Sequence, residues 1–173
     1  MKELILGGVR SGKSRLAEQR ARSSGLDVVY IATATAGDDE MRARIEQHRV
    51  RRPAQWRVIE EPLYLASVLD QHAHASRCIV VDCVTLWLTN WLCTENAAGY
   101  AAQRAALLEK LPALPGHIIF VANETNLGIM PMGDLTRRFC DEAGMLHQAL
   151  AAKCERVMLT IAGLPLYLKG ECE

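Results

Sequence analysis

The stretch GGVRSGKS at positions 7–14 constrains the fold more than any other part of the sequence. It matches the pattern G-x-x-x-x-G-K-[ST] in full, follows the apolar run ELIL (3–6), and opens a segment with helical spacing. In a strand–loop–helix context the glycines let backbone N–H groups turn toward phosphate oxygens, and the helix N-terminus adds positive potential. The stretch therefore predicts a phosphate-binding loop (P-loop), whose lysine reaches the β and γ phosphates and whose serine hydroxyl ligates Mg²⁺.

Apolar, β-branched runs alternate along the chain with segments of helical spacing. This alternation predicts an α/β fold with a mostly parallel central sheet covered by helices on both faces. We find no linker, repeat or low-complexity segment, so residues 1–173 are predicted to form one domain. The predicted strands are 3–6, 27–34, 56–60, 77–84, 117–124 and 156–163, the predicted helices are 13–25, 38–48, 62–72, 85–92, 97–111 and 134–154, and the tail from Leu164 is ambiguous.

Bulk composition excludes several classes of protein. The formal net charge is +0 and the pI about 7, which argues against a nucleic-acid-binding or membrane-surface protein. No stretch is apolar enough to span a membrane, and the N-terminus does not resemble a signal peptide. The six cysteines lack C-x-x-C spacing, so we expect reduced, mostly buried thiols in a cytoplasmic protein without a zinc site.

Acidic and polar side chains follow two of the predicted strands. Asp82 ends CIVVD as a metal-binding acid of a P-loop protein would, and Asn123 and Glu124 end IIFVANE. Because parallel strands end at one edge of a sheet, these residues are predicted to lie near the phosphate loop. The alternative is that they only cap the elements that follow.

A histidine surrounded by arginines is the most unusual feature outside the P-loop. In EQHRVRRPAQW (46–56), Arg49, Arg51 and Arg52 follow His48 and favour the neutral form of its imidazole. A neutral imidazole is a competent nucleophile toward phosphorus, and the arginines would stabilise phosphate charge. A solvated basic loop with an incidental histidine is the alternative.

Several stretches together resemble one family, the bifunctional adenosylcobinamide kinase / adenosylcobinamide-phosphate guanylyltransferases of cobalamin biosynthesis. They appear in that family's order and cover most of the first 131 residues: GGVRSGKSRLAE (7–18), VVYIATA (28–34), DDEMRARIEQHRVRRPAQW (38–56), VVDCVTLWLTN (80–90) and FVANETNLGIMP (120–131). The chain departs from the family pattern at Asn126, where a glycine is usual, and at Gln47, where some relatives carry a second histidine.

The resemblance implies a RecA-like P-loop NTPase fold, a three-layer sandwich, and two reactions. A nucleoside triphosphate, ATP or GTP with Mg²⁺, phosphorylates the aminopropanol hydroxyl of adenosylcobinamide. GTP then transfers GMP through a GMP-histidine intermediate to the new phosphate, which gives adenosylcobinamide-GDP and pyrophosphate. The implied partners are the corrinoid substrate and other copies of the chain, in a homo-oligomer that the family suggests is a trimer.

Carried onto this sequence, the resemblance names His48 and Lys13 as catalytic and Ser14 and Asp82 as metal ligands. The adjacent acids Glu60 and Glu61 are alternatives for pairing with guanine, with Glu60 preferred. The implied nucleotide-binding residues are Gly7, Gly8, Val9, Arg10, Ser11, Gly12, Lys13, Ser14, Thr33, Ala34, Thr35, Arg49, Val50, Arg51, Arg52, Glu60 and Asp82. Two alternatives for the function are a P-loop kinase of another small metabolite without guanylyl transfer, and a GTP-binding switch module.

Overall fold

The computed structural model describes residues 1–37, 39, 42–43, 45–46, 49 and 52–171. The strands are β1 (Lys2–Gly7), β2 (Asp27–Ala32), β3 (Arg57–Glu60), β4 (Arg77–Asp82), β5 (His117–Asn123), β6 (Arg156–Ile161) and β7 (Leu164–Lys169). The helices are α1 (Lys13–Ser23), α2 (Leu65–His72), α3 (Val84–Cys93), α4 (Ala97–Lys110) and α5 (Asp134–Lys153), and Leu111–Ala113 form a 3₁₀ turn. The described residues of the predicted helix 38–48 are helical, and the others lie outside the described residues.

The described strands form one seven-stranded sheet in the order β3-β2-β4-β5-β1-β6-β7. Neighbouring strands are parallel, as predicted, except that β7 pairs antiparallel with β6. This pairing assigns the ambiguous tail to a hairpin at the sheet edge. Because β5 lies between β1 and β4, it separates the strand that leads into the P-loop from the strand that ends at Asp82.

Helices cover both faces of the sheet, which confirms the predicted layers. On one face, Ala17 and Ala21 of α1 pack with Ile5 and Tyr30. On the other face, α2 to α5 contribute a larger cluster around Trp87. The central strands are buried on both faces, and their inner residues, 4–6, 78–81 and 118–122, are therefore continuously apolar. Among the described residues, no helix is both long and apolar enough to cross a membrane.

The predicted helix start at Pro62 is wrong, since α2 begins at Leu65. Both Leu63 and Tyr64 donate their backbone N–H groups to the Glu61 carboxylate, each at 2.8 Å, and this turn delays the helix. The second strand also ends earlier than predicted, at Ala32. Of the cysteines within the described residues, four are buried, one is exposed, and all are free thiols.

A buried charge cluster joins β1 to its neighbours at the end of the sheet opposite the P-loop. Glu3 is fully buried, and its carboxylate accepts hydrogen bonds from Arg20 of α1 at 2.5 and 2.7 Å and from Arg156 of β6 at 3.1 Å. The His117 Nε2 atom lies 3.3 Å from the same carboxylate. A buried carboxylate is tolerated because the cations around it compensate its charge.

Replacing Glu3 with glutamine is therefore expected to destabilise the protein by about 3–5 kcal/mol, because a buried guanidinium loses its counter-charge. Urea unfolding followed by circular dichroism measures this loss. Asp70→Asn is the matched control, since Asp70 pairs with Lys110 at 2.6 Å on the surface, and it should cost less than about 1 kcal/mol. Equal effects of the two substitutions would contradict a structural role for the cluster.

Candidate functional site

The P-loop connects the end of β1 to the start of α1 and requires glycine at two positions. A Cβ at Gly7 would lie 2.4 Å from the Ser11 Oγ and 2.7 Å from the Thr160 carbonyl oxygen. Gly12 has φ 100°, and a Cβ there would lie 3.1 Å from the Gly163 Cα. The Gly163 N–H donates to the Ser11 carbonyl at 2.9 Å, so the turn between β6 and β7 contacts the P-loop and stabilises it.

Lys13 opens α1 with only 8% of its surface exposed, and its Nζ donates to the Gly8 carbonyl at 2.9 Å. Burial lowers the pKa of this amine, while negative charge at Cys83 and Asp82 would raise it. Burial also raises the pKa of the Cys83 thiol to about 11, so this thiol is neutral near pH 7. Asp82 is therefore the anion that favours the charged form of Lys13.

Asp82 ends β4 and is connected to the arginine-rich segment through one tyrosine. The Tyr30 hydroxyl donates to the Asp82 carboxylate at 2.5 Å. Burial, together with Asp82, raises the pKa of Tyr30 well above its usual value, so it stays a neutral donor. The Arg52 guanidinium lies 4.2 Å from the centroid of the Tyr30 ring, and Trp56 stacks on the same ring at 6.4 Å. Arg52 is thus placed beside the end of β4.

The loop after β2 is held to the same edge. The Thr33 hydroxyl donates to the Cys83 carbonyl at 2.7 Å and accepts the Cys83 N–H at 2.9 Å. Of its two neighbours in the predicted site, Ala34 is half-buried and Thr35 is exposed. The predicted turn 33–35 therefore lies next to Asp82, at the carboxyl ends of the central strands.

Sequence reasoning missed Asn90 of α3. Its amide donates to the Thr33 carbonyl at 2.7 Å and to the Pro62 carbonyl at 3.1 Å. It thereby joins the loop after β2 to the loop after β3. The sequence signal that could have found Asn90 is its spacing in the helix TLWLTNWL. Residues three and four positions apart share a helix face, so Asn90 and Trp91 lie near Trp87.

Trp87 and Trp91, on that face of α3, both donate their indole N–H groups to the Leu63 carbonyl, at 2.7 and 3.0 Å. Both side chains are buried and belong to the hydrophobic core.

The two adjacent acids after β3 have different surroundings. The Glu61 carboxylate accepts the two backbone N–H groups that precede α2. Glu60 is the last residue of β3, paired in register with Ala32 of β2, and its side chain is exposed. Glu60 is therefore the acid of the pair that is available to a ligand.

The end of β5 lies beside the P-loop, as predicted. The Glu124 N–H donates to the Gly7 carbonyl at 2.9 Å, and one Glu124 carboxylate oxygen accepts the Asn126 N–H at 2.6 Å. The other carboxylate oxygen lies 3.7 Å from the Nδ1 of His147, a residue whose pKa is lowered by burial.

Asn126, which replaces the usual glycine of the family pattern, holds its loop in place through its side chain. Its φ is not among the positive values of the described residues, so left-handed backbone is not the reason that asparagine replaces glycine. Instead its side-chain amide donates to the Cys140 carbonyl of α5 at 3.0 Å.

The structure thus brings Lys13, Asp82, Thr33 and, through Tyr30, Arg52 to one edge of the sheet. Arg49 is exposed, and its guanidinium lies 3.8 Å from Glu46. Three predicted site residues, His48, Val50 and Arg51, lie outside the described residues. Within the described part of the chain, no group of three or more His, Cys, Asp or Glu side chains forms a metal site.

Comparison with known proteins identifies the family to which this arrangement of residues corresponds. A family model described as cobinamide kinase / cobinamide phosphate guanyltransferase matches residues 3–168. The chain is 61% identical over 171 residues to the bifunctional adenosylcobalamin biosynthesis protein CobP of Pseudomonas aeruginosa, with 99% of each chain covered. It is 36% identical over 179 residues to the bifunctional adenosylcobalamin biosynthesis protein CobU of Escherichia coli, covering 96% of this chain and 98% of the relative.

Among solved structures, the RadB recombinase superposes with a TM-score of 0.54 at 17% identity, over 91% of this chain and 73% of the recombinase. At this identity the likeness concerns the fold alone. It agrees with the predicted RecA-like P-loop architecture.

Proposed function

The chain belongs to the cobinamide kinase / cobinamide phosphate guanyltransferase family, and from this premise we propose that one nucleotide site at the carboxyl edge of its sheet serves both reactions. The enzyme phosphorylates cobinamide and transfers a guanylyl group to cobinamide phosphate. This membership disfavours a kinase without guanylyl transfer and a GTP-binding switch. The observation that supports a shared site is the Arg52–Tyr30–Asp82 contact, which places Arg52, four residues after His48 in the chain, on the P-loop side of the sheet.

In the kinase reaction the backbone N–H groups of the P-loop, residues 7–14, surround the phosphates of ATP or GTP. The positively charged amine of Lys13 stabilises the negative charge of the phosphoryl group that is transferred. The site suits Mg²⁺, because the Ser14 hydroxyl and the Asp82 carboxylate are hard oxygen donors at the same edge of the sheet. When bound, Mg²⁺ neutralises phosphate charge. The substrate hydroxyl attacks the γ-phosphorus, the bond to the β-phosphate oxygen breaks, and the hydroxyl proton leaves to solvent or a base.

In the guanylyl transfer the neutral imidazole of His48 attacks the α-phosphorus of GTP. A phosphorus–nitrogen bond forms, the α–β phosphoanhydride breaks, and pyrophosphate leaves. The phosphate of cobinamide phosphate then attacks the same phosphorus, which breaks the phosphorus–nitrogen bond and restores the histidine. Arg49, Arg51 and Arg52 favour the neutral imidazole and stabilise the negative charge of the departing pyrophosphate.

We assign guanine recognition to Glu60. A carboxylate accepts hydrogen bonds from the N1–H and the exocyclic amine of guanine, and adenine lacks this pair of donors. Glu60 is exposed at the end of β3, whereas the Glu61 carboxylate is occupied by the turn before α2. Asn90 supports the assignment, because it holds the loop after β3 against the loop after β2.

Glu60→Gln is expected to weaken GTP binding about 10- to 100-fold, because a hydrogen bond to a charged group contributes about 1.5–3 kcal/mol. ATP binding should change little, so titration calorimetry with both nucleotides reports the selectivity. Glu61→Gln is the matched control: it should lower the melting temperature and leave the ratio of GTP to ATP affinity unchanged. Unchanged selectivity in Glu60→Gln would refute the assignment.

We further propose that the enzyme is a cytoplasmic homo-oligomer, with a trimer as the expected form. Free thiols at Cys78, Cys83, Cys140 and Cys154 agree with a reducing compartment. Large apolar side chains are exposed after β5 and along β7, and such surfaces often mark contacts between subunits.

A further inference from the structure

We propose that the side-chain amide of Asn123 binds the terminal phosphoryl group of the nucleoside triphosphate, and that it discriminates GTP from GDP. This inference rests on the P-loop being the nucleotide site. Asn123 is the last residue of β5 and pairs in register with Gly7, the first residue of the P-loop. On the other side of β5, Asp82 pairs with Val121, two residues before Asn123. Asn123 therefore lies on the strand between the P-loop and Asp82, two residues further toward the ligand edge than the partner of Asp82.

The alternation of β5 places the Asn123 side chain on the P-loop face of the sheet. Ile119 and Val121 pack in the cluster that contains Ala17 of α1. Because side chains two residues apart in a strand lie on the same face, Asn123 shares the face of α1. The same rule places Asp82 there, since Cys78 and Val80 belong to that cluster. Lys13 at the start of α1 and the side chains of Asp82 and Asn123 thus share one face of the sheet at its carboxyl edge, and in this proposal the terminal phosphate held by Lys13 lies beside them.

The backbone at Asn123 is anchored while its amide is available. Its N–H donates to the hydroxyl of Thr85 at 3.1 Å, and Thr85 is 2% exposed. The same hydroxyl lies 3.1 Å from the Cys83 Sγ. The end of β5 is therefore tied to the residue that follows Asp82. Among the described residues, none makes a hydrogen bond with the Asn123 side-chain amide.

The chemistry of the position favours a phosphate ligand. An amide N–H₂ group donates to a phosphate oxygen without adding negative charge, and a bond to a charged acceptor is stronger than one between neutral groups. Glu124, the next residue, lies on the opposite face, where its carboxylate approaches His147 of α5. The alternation of the strand thus presents an amide, and not a carboxylate, to the phosphate.

This placement predicts a contact that GTP makes and GDP does not. In the kinase reaction the amide holds the phosphoryl group that is transferred. In the guanylyl transfer the same group is part of the departing pyrophosphate. Loss of the amide should therefore weaken binding of triphosphates in particular and slow the kinase step, in which negative charge is redistributed at the γ-phosphate.

The test compares the full-length wild type with Asn123→Ala and the isosteric Asn123→Asp, using Mg²⁺ with GTP or GDP in titration calorimetry. We expect Asn123→Ala to bind GTP about 10-fold more weakly, in line with the loss of one bond to a charged acceptor, and GDP with nearly unchanged affinity. Asn123→Asp should lose more GTP affinity, because its carboxylate repels the phosphate. The kinase kcat of Asn123→Ala should fall about 10²-fold.

Asn126→Ala is the matched control, since its amide donates to α5 and not toward the P-loop face. It should keep the wild-type ratio of GTP to GDP affinity. If both Asn123 variants kept the wild-type ratio of GTP to GDP affinity, the inference would be overturned. The proposed function would instead be contradicted if the wild-type protein bound GTP but transferred neither phosphoryl nor guanylyl groups. In that case the ratio of GTP to GDP affinity would still decide the role of Asn123.

Discussion

Replacement of His48 by alanine is expected to abolish covalent guanylylation of the protein. Incubation with Mg²⁺ and GTP labelled at the α-phosphate should label the wild type with a bond that survives base and breaks in acid, as a phosphoramidate does. His48→Ala should show no such label and should lose guanylyl transfer by about 10⁴-fold or more, because removal of a covalent nucleophile removes the whole two-step path. The kinase reaction should persist, since no step of it uses this imidazole.

His74→Ala is the matched control for this experiment. His74 is exposed beyond α2, and its Nδ1 lies 2.9 Å from the Ser76 hydroxyl at the end of the sheet away from the P-loop. This variant should keep the label and both activities. Acid-labile label that remains in His48→Ala would show that another residue is the nucleophile.

Lys13→Met is expected to abolish both reactions together. One P-loop holds the triphosphate in each reaction, so the loss of its cation should lower both rates by about 10³-fold, as the loss of comparable charge-stabilising groups does. The fold should remain intact, because a buried amine whose pKa is lowered by burial is replaced by an apolar side chain of similar length. Steady-state assays of phosphorylation and of GMP transfer measure the two losses.

Lys110→Met serves as the control for Lys13→Met, since its amine pairs with Asp70 on the surface. It should leave both activities at the wild-type level. If Lys13→Met lost phosphorylation but kept guanylyl transfer, the two reactions would use different nucleotide sites, and the proposal of one shared site would be wrong.

Local patterns account for the parts of the fold that sequence predicted well. The P-loop, its strand and its helix follow from short-range rules, because glycine conformation, strand alternation and helix spacing each depend on residues that are close in the chain. The same holds for Asp82, which directly ends an apolar strand. The helix start at Pro62 was wrong because the turn before α2 combines a local contact with a distant one. The turn after Glu61 is fixed by its own carboxylate and by the indole N–H groups of Trp87 and Trp91 at the Leu63 carbonyl.

The site shows the same division between local and distant contacts. Residue types and spacing indicated the P-loop, the His–Arg segment and the acids at strand ends. They did not indicate that Asn90 joins two loops, or that Tyr30 connects Arg52 to Asp82. Such contacts join residues that are far apart in the chain, and no periodicity encodes them.

By itself the sequence indicated the chemical groups available to this protein: a phosphate loop, an acid at a strand end, and a histidine among arginines. Only the tertiary structure decided which side chains share a face at the ligand edge. Strand order placed β5 between β1 and β4, and the packing of α1 on one face and α5 on the other decided that Asn123 lies on the P-loop face and Glu124 on the opposite one. The physical reason is that strand order depends on packing between distant segments, whereas the phosphate loop depends on the backbone freedom of a few adjacent residues.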